Sequence, residues 1–420
     1  MLKPLAYLLA RVVRAGDLTF IDSDGTAHRY GDGNGPPVTV RVHDRSLEWH
    51  LAFDPEMAAG EGYMQGRLTV EKGTIYDFIA LMMENLGASP VPAVAQSLTT
   101  RIRRLLRPLV QLNSARRARE NVHRHYDIDP RIYDLFLDPD KQYSCAYYAE
   151  PKMSLAEAQA AKKRHIAAKL ALRPGQRVLD IGSGWGGLAL YLARAAHVDV
   201  TGITLSDEQI KIARARADEE SRETRPTFKL ADYRTLSDTF DRIVSVGMFE
   251  HVGIPNYRTF FEKIRELLAP GGTALIHTIG RTDEPFGTNP FIARYIFPGG
   301  YIPALSEIMT AVEHSGLIVS DVEVLRLHYA ETLRSWRRRF LANRPKAVKI
   351  AGEEFCRMWE FYLAGSEAAF RYQNFVVFQI QLIRRIDALP IMRDYIPRAE
   401  RALPLALDSD GHAIDIASRR

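Results

Sequence analysis

Cysteine is scarce: Cys145 and Cys356 are the only two in 420 residues. That excludes a disulfide scaffold and a four-cysteine zinc site, and no metal is expected. Long apolar runs are missing as well. No stretch reaches the roughly eighteen continuously apolar residues of a membrane-spanning helix. The opening MLKPLAYLLARVVRAG is cut by Arg11 and Arg14, and no small-x-small cleavage site follows, so it does not read as a signal peptide. The resulting expectation is a soluble, cytoplasmic chain. Excess charge of one sign is also slight, since 56 Lys and Arg against 51 Asp and Glu leave +5. That is thin for a nucleic-acid backbone binder, and no zinc finger, RNA-binding signature or helix-turn-helix accompanies it, so nucleic acid is not an expected partner. What is present is globular in character, with 46% hydrophobic and 25% charged residues. The length allows about two or three domains.

Leu2, Leu5, Leu9 and Val12 share one face of a first helix, with Arg11 and Arg14 off it. Alternating stretches LTFIDSDG and PVTVRVHD follow, then helical regions Glu48–Gly66 and Thr74–Asn85. Residues 1–90 therefore read as a small α+β domain. ASPVPAVAQ (88–96) breaks the pattern as a linker, and 91–120 holds that linker with a basic helix. Residues 101–119 carry seven arginines and no acid, with Leu105, Leu106, Leu109 and Leu112 interleaved. Such a helix is either a solvated face or a contact with an anionic membrane surface. Residues 121–390 read as one further domain, and 391–420 as a C-terminal tail. From 177 onward RVLDIGSG, DVTGITL, TFKLADY, FDRIVSVGM and GGTALIHTIG alternate with helices beginning near Gly187, Ser206 and Pro255. That alternation predicts an α/β fold with a doubly wound, mostly parallel sheet. Residues 281–372 interrupt it, and FVVFQIQLI (375–383) returns as a last strand.

The loop Asp180-Ile-Gly-Ser-Gly-Trp-Gly-Gly187 joins the strand RVLDI to the helix LALYLARAA. Gly182, Gly184 and Gly186 let the backbone turn and approach a ligand closely. A dinucleotide site would want an acid at the end of the next strand, about twenty residues on, to hold ribose hydroxyls. DVTGITL ends instead in Thr204, Leu205 and Ser206. Asp180 is suited to a cationic amino group, and Asp232 to an adenine amino group or to capping a helix. Together these favour S-adenosylmethionine over NAD.

Here the chain resembles the cyclopropane-fatty-acyl-phospholipid synthases, the mycolic acid cyclopropane synthases and related unsaturated-lipid methyltransferases. The residues that carry the likeness are HYD (125–127), YDLFLD (133–138), YSCAYY (143–148), VLDIGSGWGG (178–187), GITLSDEQ (202–209) and GMFEHVG (247–253). HTIGR (277–281), FIARYIFPGGYIP (291–303), HYAETLRSW (328–336) and YLAGSEAAFR (362–371) complete the set. The resemblance implies a class I methyltransferase fold with a seven-stranded Rossmann-like sheet. It also implies a small N-terminal domain for dimerisation and lipid presentation, and a helical cover over an acyl chain drawn from 288–305 and 330–372. Ordinary core packing is the alternative for those aromatic helices.

The implied reaction is attack by an alkene of a membrane phospholipid on the methyl of a sulfonium. A weak nucleophile depends on geometry and a dry slot. Loss of a proton from the new methyl then closes a cyclopropane; loss of another proton gives a branched chain. The resemblance implies a bound bicarbonate as proton acceptor, held by Cys145, Glu250, His277, the backbone of Ile279, and Tyr329. Cys145 is not expected to be a nucleophile, and Cys356 reads as core. On the donor side Tyr143 and Ser144 would cover the methionine portion, and Gly182, Gly184 and Gly186 would line its approach. Thr204, Leu205 and Gln209 would meet the ribose and adenine side, with Asp232 and Tyr233 at the base. Two departures stand out. Ile128-Asp129-Pro130-Arg131 replaces a Gly-Asn pair common in relatives, and Ser366 stands where several carry cysteine. The expected location is the inner membrane surface, as a peripheral protein.

Overall fold

Alternating residues make the first sheet. Strands β1 (Asp17–Ile21), β2 (Ala27–Tyr30), β3 (Pro37–Val42) and β4 (Leu68–Lys72) lie in the order β2-β1-β3-β4. Val38, Val40 and Val42 are buried while Thr39 and Arg41 are less so, the period-two signature of a sheet with one dry face. The structure, a computed structural model, describes residues 1–87, 128–220 and 225–405. The expected linker at 88–96, the basic helix at 101–119 and the HYD block at 125–127 lie outside the described residues. The helical region expected over Glu48–Gly66 is two helices, Arg45–Phe53 and Pro55–Met64. Pro55, which has no N–H to donate, starts the second of them after Asp54 closes the first. Helix Ile75–Leu86 is framed by a Thr74–Asp77 capping box and by Gly87 at positive φ.

This small unit shares its core with the C-terminal part of the chain. Ala364 and Ala368 of the helix Arg344–Tyr372 pack among Leu47, Ile75 and Phe78. Gly60 leaves room for the Phe291 ring, and the Tyr295 hydroxyl donates to Glu61 at 2.7 Å.

The large sheet holds β5 (Arg177–Ile181), β6 (Asp199–Thr204), β7 (Thr227–Leu230), β8 (Phe240–Val246), β9 (Leu268–Arg281), β10 (Ile318–Leu325) and β11 (Phe375–Ile383). Their order is β10-β11-β9-β8-β5-β6-β7. The five strands from β7 to β9 are mutually parallel, and β11 and β10 continue the sheet antiparallel. The central parallel strands β5 and β8 are buried along most of their length because both faces are covered, whereas the edge strand β7 buries only Phe228. The chain fills one side of β5 with β6 and β7, then returns to β8 on the other. The carboxyl ends of β5 and β8 thus flank the point where strand order reverses, and connections diverge to leave a crevice there. One strand, β10, was not among those expected. It is the sheet edge, and Ser320, Asp321 and Glu323 dilute its apolar pattern.

Helices His328–Ala342 and Arg344–Tyr372 cover the sheet, the second kinked at Gly352 (φ 84°). Their Trp336, Phe340, Trp359 and Tyr362 join Tyr133, Phe136 and Tyr143 in one aromatic cluster that also contains Cys356. Within the stretch expected as a tail, Tyr395–Ala402 is a helix. It packs on the helix Leu155–Lys169, where His165 bridges Glu400 at 2.6 Å and Glu323 at 2.7 Å. Among the described residues no helix is long and apolar enough to cross a membrane.

Candidate active site

The loop after β5 is built by its glycines. Gly186 precedes helix Gly187–Ala196 at φ 84°, and a Cβ there would lie 2.7 Å from the Phe228 ring. Gly182 has φ 84° and faces Met248. The amides of Gly182 and Ser183 both donate to the Ile203 carbonyl at 2.9 Å, tying the loop to β6. A cavity opens at this switch point. It is lined by Tyr143 and Ser144, by Asp180 to Trp185, by Thr204, Leu205 and Gln209, and by Asp232 and Tyr233. Every residue expected on the donor side lines it except Gly186, whose role is to pack against Phe228. Thr204 Oγ1 lies 3.0 Å from Gln209 Oε1, and Ser206 caps the helix that carries Gln209.

Asp232 fulfils the capping role, accepting from the Arg234 amide at 3.0 Å and pairing with the Arg234 guanidinium at 2.5 Å, while still facing the cavity. Asp180 differs. It is 2% exposed, its Oδ2 has no hydrogen-bond partner, and burial pushes its carboxyl up to about 7 against the opposing pull of Lys162. A buried oxygen without a donor is costly unless a ligand supplies one. Pro130, the departure in the approach segment, opens a short helix capped by Asp129. Tyr133 from that helix packs edge-on to Tyr143 and Trp185, 5.4 and 5.2 Å between ring centroids.

The residues expected around the proton acceptor lie off this lining, each reached from it through the chain or a hydrogen bond. The Ile279 amide donates to Glu250 Oε1 at 2.7 Å. Glu250 Oε2 is buried with no partner, and burial raises this carboxyl to about 7. His277 lies inside β9, opposite Gln379 of β11. Gln379 Nε2 sits 3.2 Å from His277 Nδ1. With the amide donating to Nδ1, the ring proton is on Nε2. Burial first, then the charge of Lys162, hold this imidazole well below its ordinary value, so it is neutral.

The Cys145 thiol donates to the Ala146 carbonyl at 3.3 Å, and burial raises it, which disfavours a thiolate nucleophile. Tyr329 packs against Trp336 and Phe370. One turn further on, Thr332 Oγ1 accepts from the Ala146 amide at 3.0 Å and so ties the Cys145 segment to the Tyr329 helix. None of these five lines the cavity. The two layers nevertheless touch through the chain: Cys145 follows Ser144, Glu250 precedes His251, and the His277 carbonyl accepts from the Gly247 amide at 2.9 Å.

Lys162, Gln142, Trp185, Met248 and His251 also line the cavity and were missed in the sequence. Trp185 and Met248 belong to motifs already singled out, GSGWGG and GMFEHVG, so their signal was there. For Lys162 it lay in spacing. Gln159, Lys162, His165 and Lys169 fall about three to four residues apart on one helix face, and that polar face is the buried one.

Comparison with known proteins shows the family. The family model for mycolic acid cyclopropane synthetase matches residues 113–380. The cyclopropane-fatty-acyl-phospholipid synthase of Escherichia coli (strain K12) is 36% identical over 351 residues, 84% of this chain and 89% of that protein. The tuberculostearic acid methyltransferase of Mycobacterium tuberculosis (strain ATCC 25618 / H37Rv) is 35% identical over 393 residues, 90% of each. The crystal structure of mycolic acid cyclopropane synthase CmaA1 complexed with SAH and CTAB superposes with a TM-score of 0.60 at 33% identity. That match covers 63% of this chain and 97% of the other.

Proposed function

Since the chain belongs to the mycolic acid cyclopropane synthetase family and is a SAM-dependent methyltransferase, we propose that it methylates the cis double bond of unsaturated acyl chains in membrane phospholipids and closes a cyclopropane there. The observation that carries this reading is a pair of buried groups next in the chain to cavity-lining residues or bonded to them, neutral His277 and Glu250, whose carboxyl is raised to about 7 and accepts from the Ile279 amide. A methyltransferase acting on an amine or hydroxyl needs a polar acceptor pocket. Here Ile279, Phe297, Tyr329 and Tyr362 all belong to or pack against one aromatic cluster, and apolar surroundings of that kind suit a hydrocarbon.

The donor cavity holds the sulfonium, with Asp180 facing its amino group and the loop backbone close beneath. The apolar wall keeps water from the methyl carbon and orients the alkene for in-line attack. After transfer a proton must leave the new methyl group. The donors present fit bicarbonate: neutral His277 offers Nε2–H, Tyr329 a hydroxyl, and Glu250 a carboxyl that holds or releases a proton near pH 7. Bound there, bicarbonate would supply the base that takes this proton. The single N–H of Ile279, expected on the anion, is donated to Glu250 Oε1, so this amide acts by orienting Glu250. Cys145 contributes shape and a thiol donor rather than covalent chemistry.

A substrate embedded in a bilayer brings the enzyme to a membrane surface as a peripheral protein of the cytoplasmic face. The seven arginines of 101–119 support contact with anionic lipid, and a homodimer through the small N-terminal unit belongs to the same reading. The decisive test is lipid mass spectrometry of a host with and without this chain, backed by purified protein, oleoyl liposomes and donor labelled at the methyl carbon. Labelled cyclopropane lipid is the expected product. An olefin-retaining methylene branch would replace ring closure by the branched-chain reading, and absence of label in lipid would refute both.

A further inference from the structure

Lys162 is a side chain the chemistry described so far leaves unused. It lies in the middle of helix Leu155–Lys169, is 0% exposed, and lines the donor cavity. Its Nζ donates to Gln142 Oε1 at 2.7 Å and to Ser144 Oγ at 2.8 Å. An ammonium has three protons to give, and both of these acceptors are neutral. Among the described residues no carboxylate lies within 4 Å of it. The carboxylates nearest in their influence are Asp138 and Asp140. Asp138 accepts from the amides of Asp140 and Gln142, and Asp140 is paired with Lys163 and Arg216. A buried ammonium without an ion-pair partner is as costly as a buried carboxylate without one.

Asp180, in the same cavity, is that carboxylate: buried, Oδ2 unpartnered, and close enough for Lys162 to act on its charge. One wall thus presents an ammonium and a carboxyl, neither ion-paired among the described residues. A zwitterionic α-amino acid head has the complementary pair. Asp180 is assigned to the ammonium, which leaves one negative group on the ligand and one positive group on the wall.

We infer that Lys162 is the counter-ion of the donor's methionyl carboxylate, and that through Gln142 and Ser144 it couples seating of this carboxylate to closure of the 142–144 segment over the ligand. The inference rests on the donor-cavity reading above. It assigns the carboxylate to the helix that precedes the sheet rather than to the glycine loop. Lys162 is a binding and positioning residue: the methyl carbon and the departing sulfur lie further along the ligand, and the proton-accepting layer has its own donors.

The test is calorimetric binding to the full chain with two probes, S-adenosylhomocysteine and its decarboxylated analogue, which keeps the amine and lacks the carboxylate. Wild-type protein is expected to prefer S-adenosylhomocysteine by about tenfold or more, the range of a charge-assisted hydrogen bond. Lys162→Met, close in length and able to fill the same space, is expected to erase the preference, weakening S-adenosylhomocysteine while leaving the analogue within about twofold. Equal binding of the two probes by wild-type protein overturns the inference without any variant, so a poorly folding Lys162→Met does not shield it. Equal weakening of both probes in the variant also overturns it, because a lysine that only braces 142–144 would act on both alike. Failure of wild-type protein to bind either probe would instead refute the donor-cavity reading itself.

Discussion

The donor cavity and the proton-handling layer beside it are separated by single peptide bonds at Ser144–Cys145 and Glu250–His251, yet they surround their titrating groups differently. In the cavity, Asp180, also raised to about 7, shares one lining with the ammonium of Lys162. In the layer, His277 is held neutral, the thiol of Cys145 is raised, and Glu250 sits near the midpoint of its titration. Burial is the first cause in each case. What differs is the company: the cavity groups are arranged to be completed by a charged ligand, and the layer groups to pass or hold one proton. Binding and proton handling are therefore separable in this site, and substitutions in one layer should leave the other's readout in place.

Glu250→Gln is the strongest test of that separation. The amide keeps the size and the acceptor for the Ile279 N–H, but loses the titrating proton. Turnover is expected to fall by about 10²–10⁴, the usual worth of a positioned acid or base, while S-adenosylhomocysteine affinity stays within about twofold. Steady-state kinetics beside calorimetry measure both. Parallel loss of binding would mean that the two layers are one.

The converse substitution, Asp180→Asn, should strike binding first. A charge-assisted hydrogen bond of about 1.5–3 kcal/mol corresponds to roughly ten- to hundredfold weaker S-adenosylhomocysteine. The pH dependence carries the same signature. Burial raises the folded-state value of Asp180 from the ordinary 3.8 to about 7, so the empty fold binds this proton more tightly than the unfolded chain does. The empty protein therefore loses stability as pH rises between those values, and over that interval ligand binding, which needs the carboxylate, grows stronger. Affinity in the wild type is expected to drop about tenfold per unit below pH 7, and to lose that slope in Asp180→Asn. A wild-type profile flat from pH 5 to 7 would contradict the assignment.

How far the sequence leads depends on whether a residue obeys the local rule for its type. The loop 180–187 does, since three glycines between an apolar strand and an apolar helix have one economical structure, and the residues expected on the donor side, Gly186 aside, line one cavity. Helix Leu155–Lys169 does not. Polar residues at helical spacing normally mark the wet face, but here Gln159, Lys162, His165 and Lys169 turn inward to the cavity and to the Glu323–Glu400 cluster. Only the tertiary partners reveal that inversion. Strand β10 was hidden for a related reason, because an edge strand needs just one buried neighbour and tolerates Asp321 and Glu323. His277 sits within the expected strand GGTALIHTIG, but its partner across the sheet is not legible from that run. In the fold β9 runs on to Arg281 through its pairing with β11, and this pairing brings Gln379 against the imidazole.

That last contact yields the smallest and most specific expectation. Gln379 is fully buried; its Nε2 meets His277 Nδ1, and its Oε1 has no partner. If the amide fixes the ring so that Nε2 carries the proton, Gln379→Leu removes the constraint without touching either ligand. One neutral hydrogen bond is worth about 0.5–1.5 kcal/mol, so turnover should fall roughly two- to tenfold with donor affinity unchanged. Loss of packing alone would lower the melting temperature equally at every pH and leave the ring tautomer alone. The nitrogen chemical shifts of His277 separate the two: in the wild type Nδ1 should carry the shift of an unprotonated ring nitrogen, and in Gln379→Leu the two nitrogens should move toward averaged values. An unaltered tautomer with reduced turnover would reduce Gln379 to a packing residue and leave Ile279 and Glu250 as the only ordered part of the proton-handling layer.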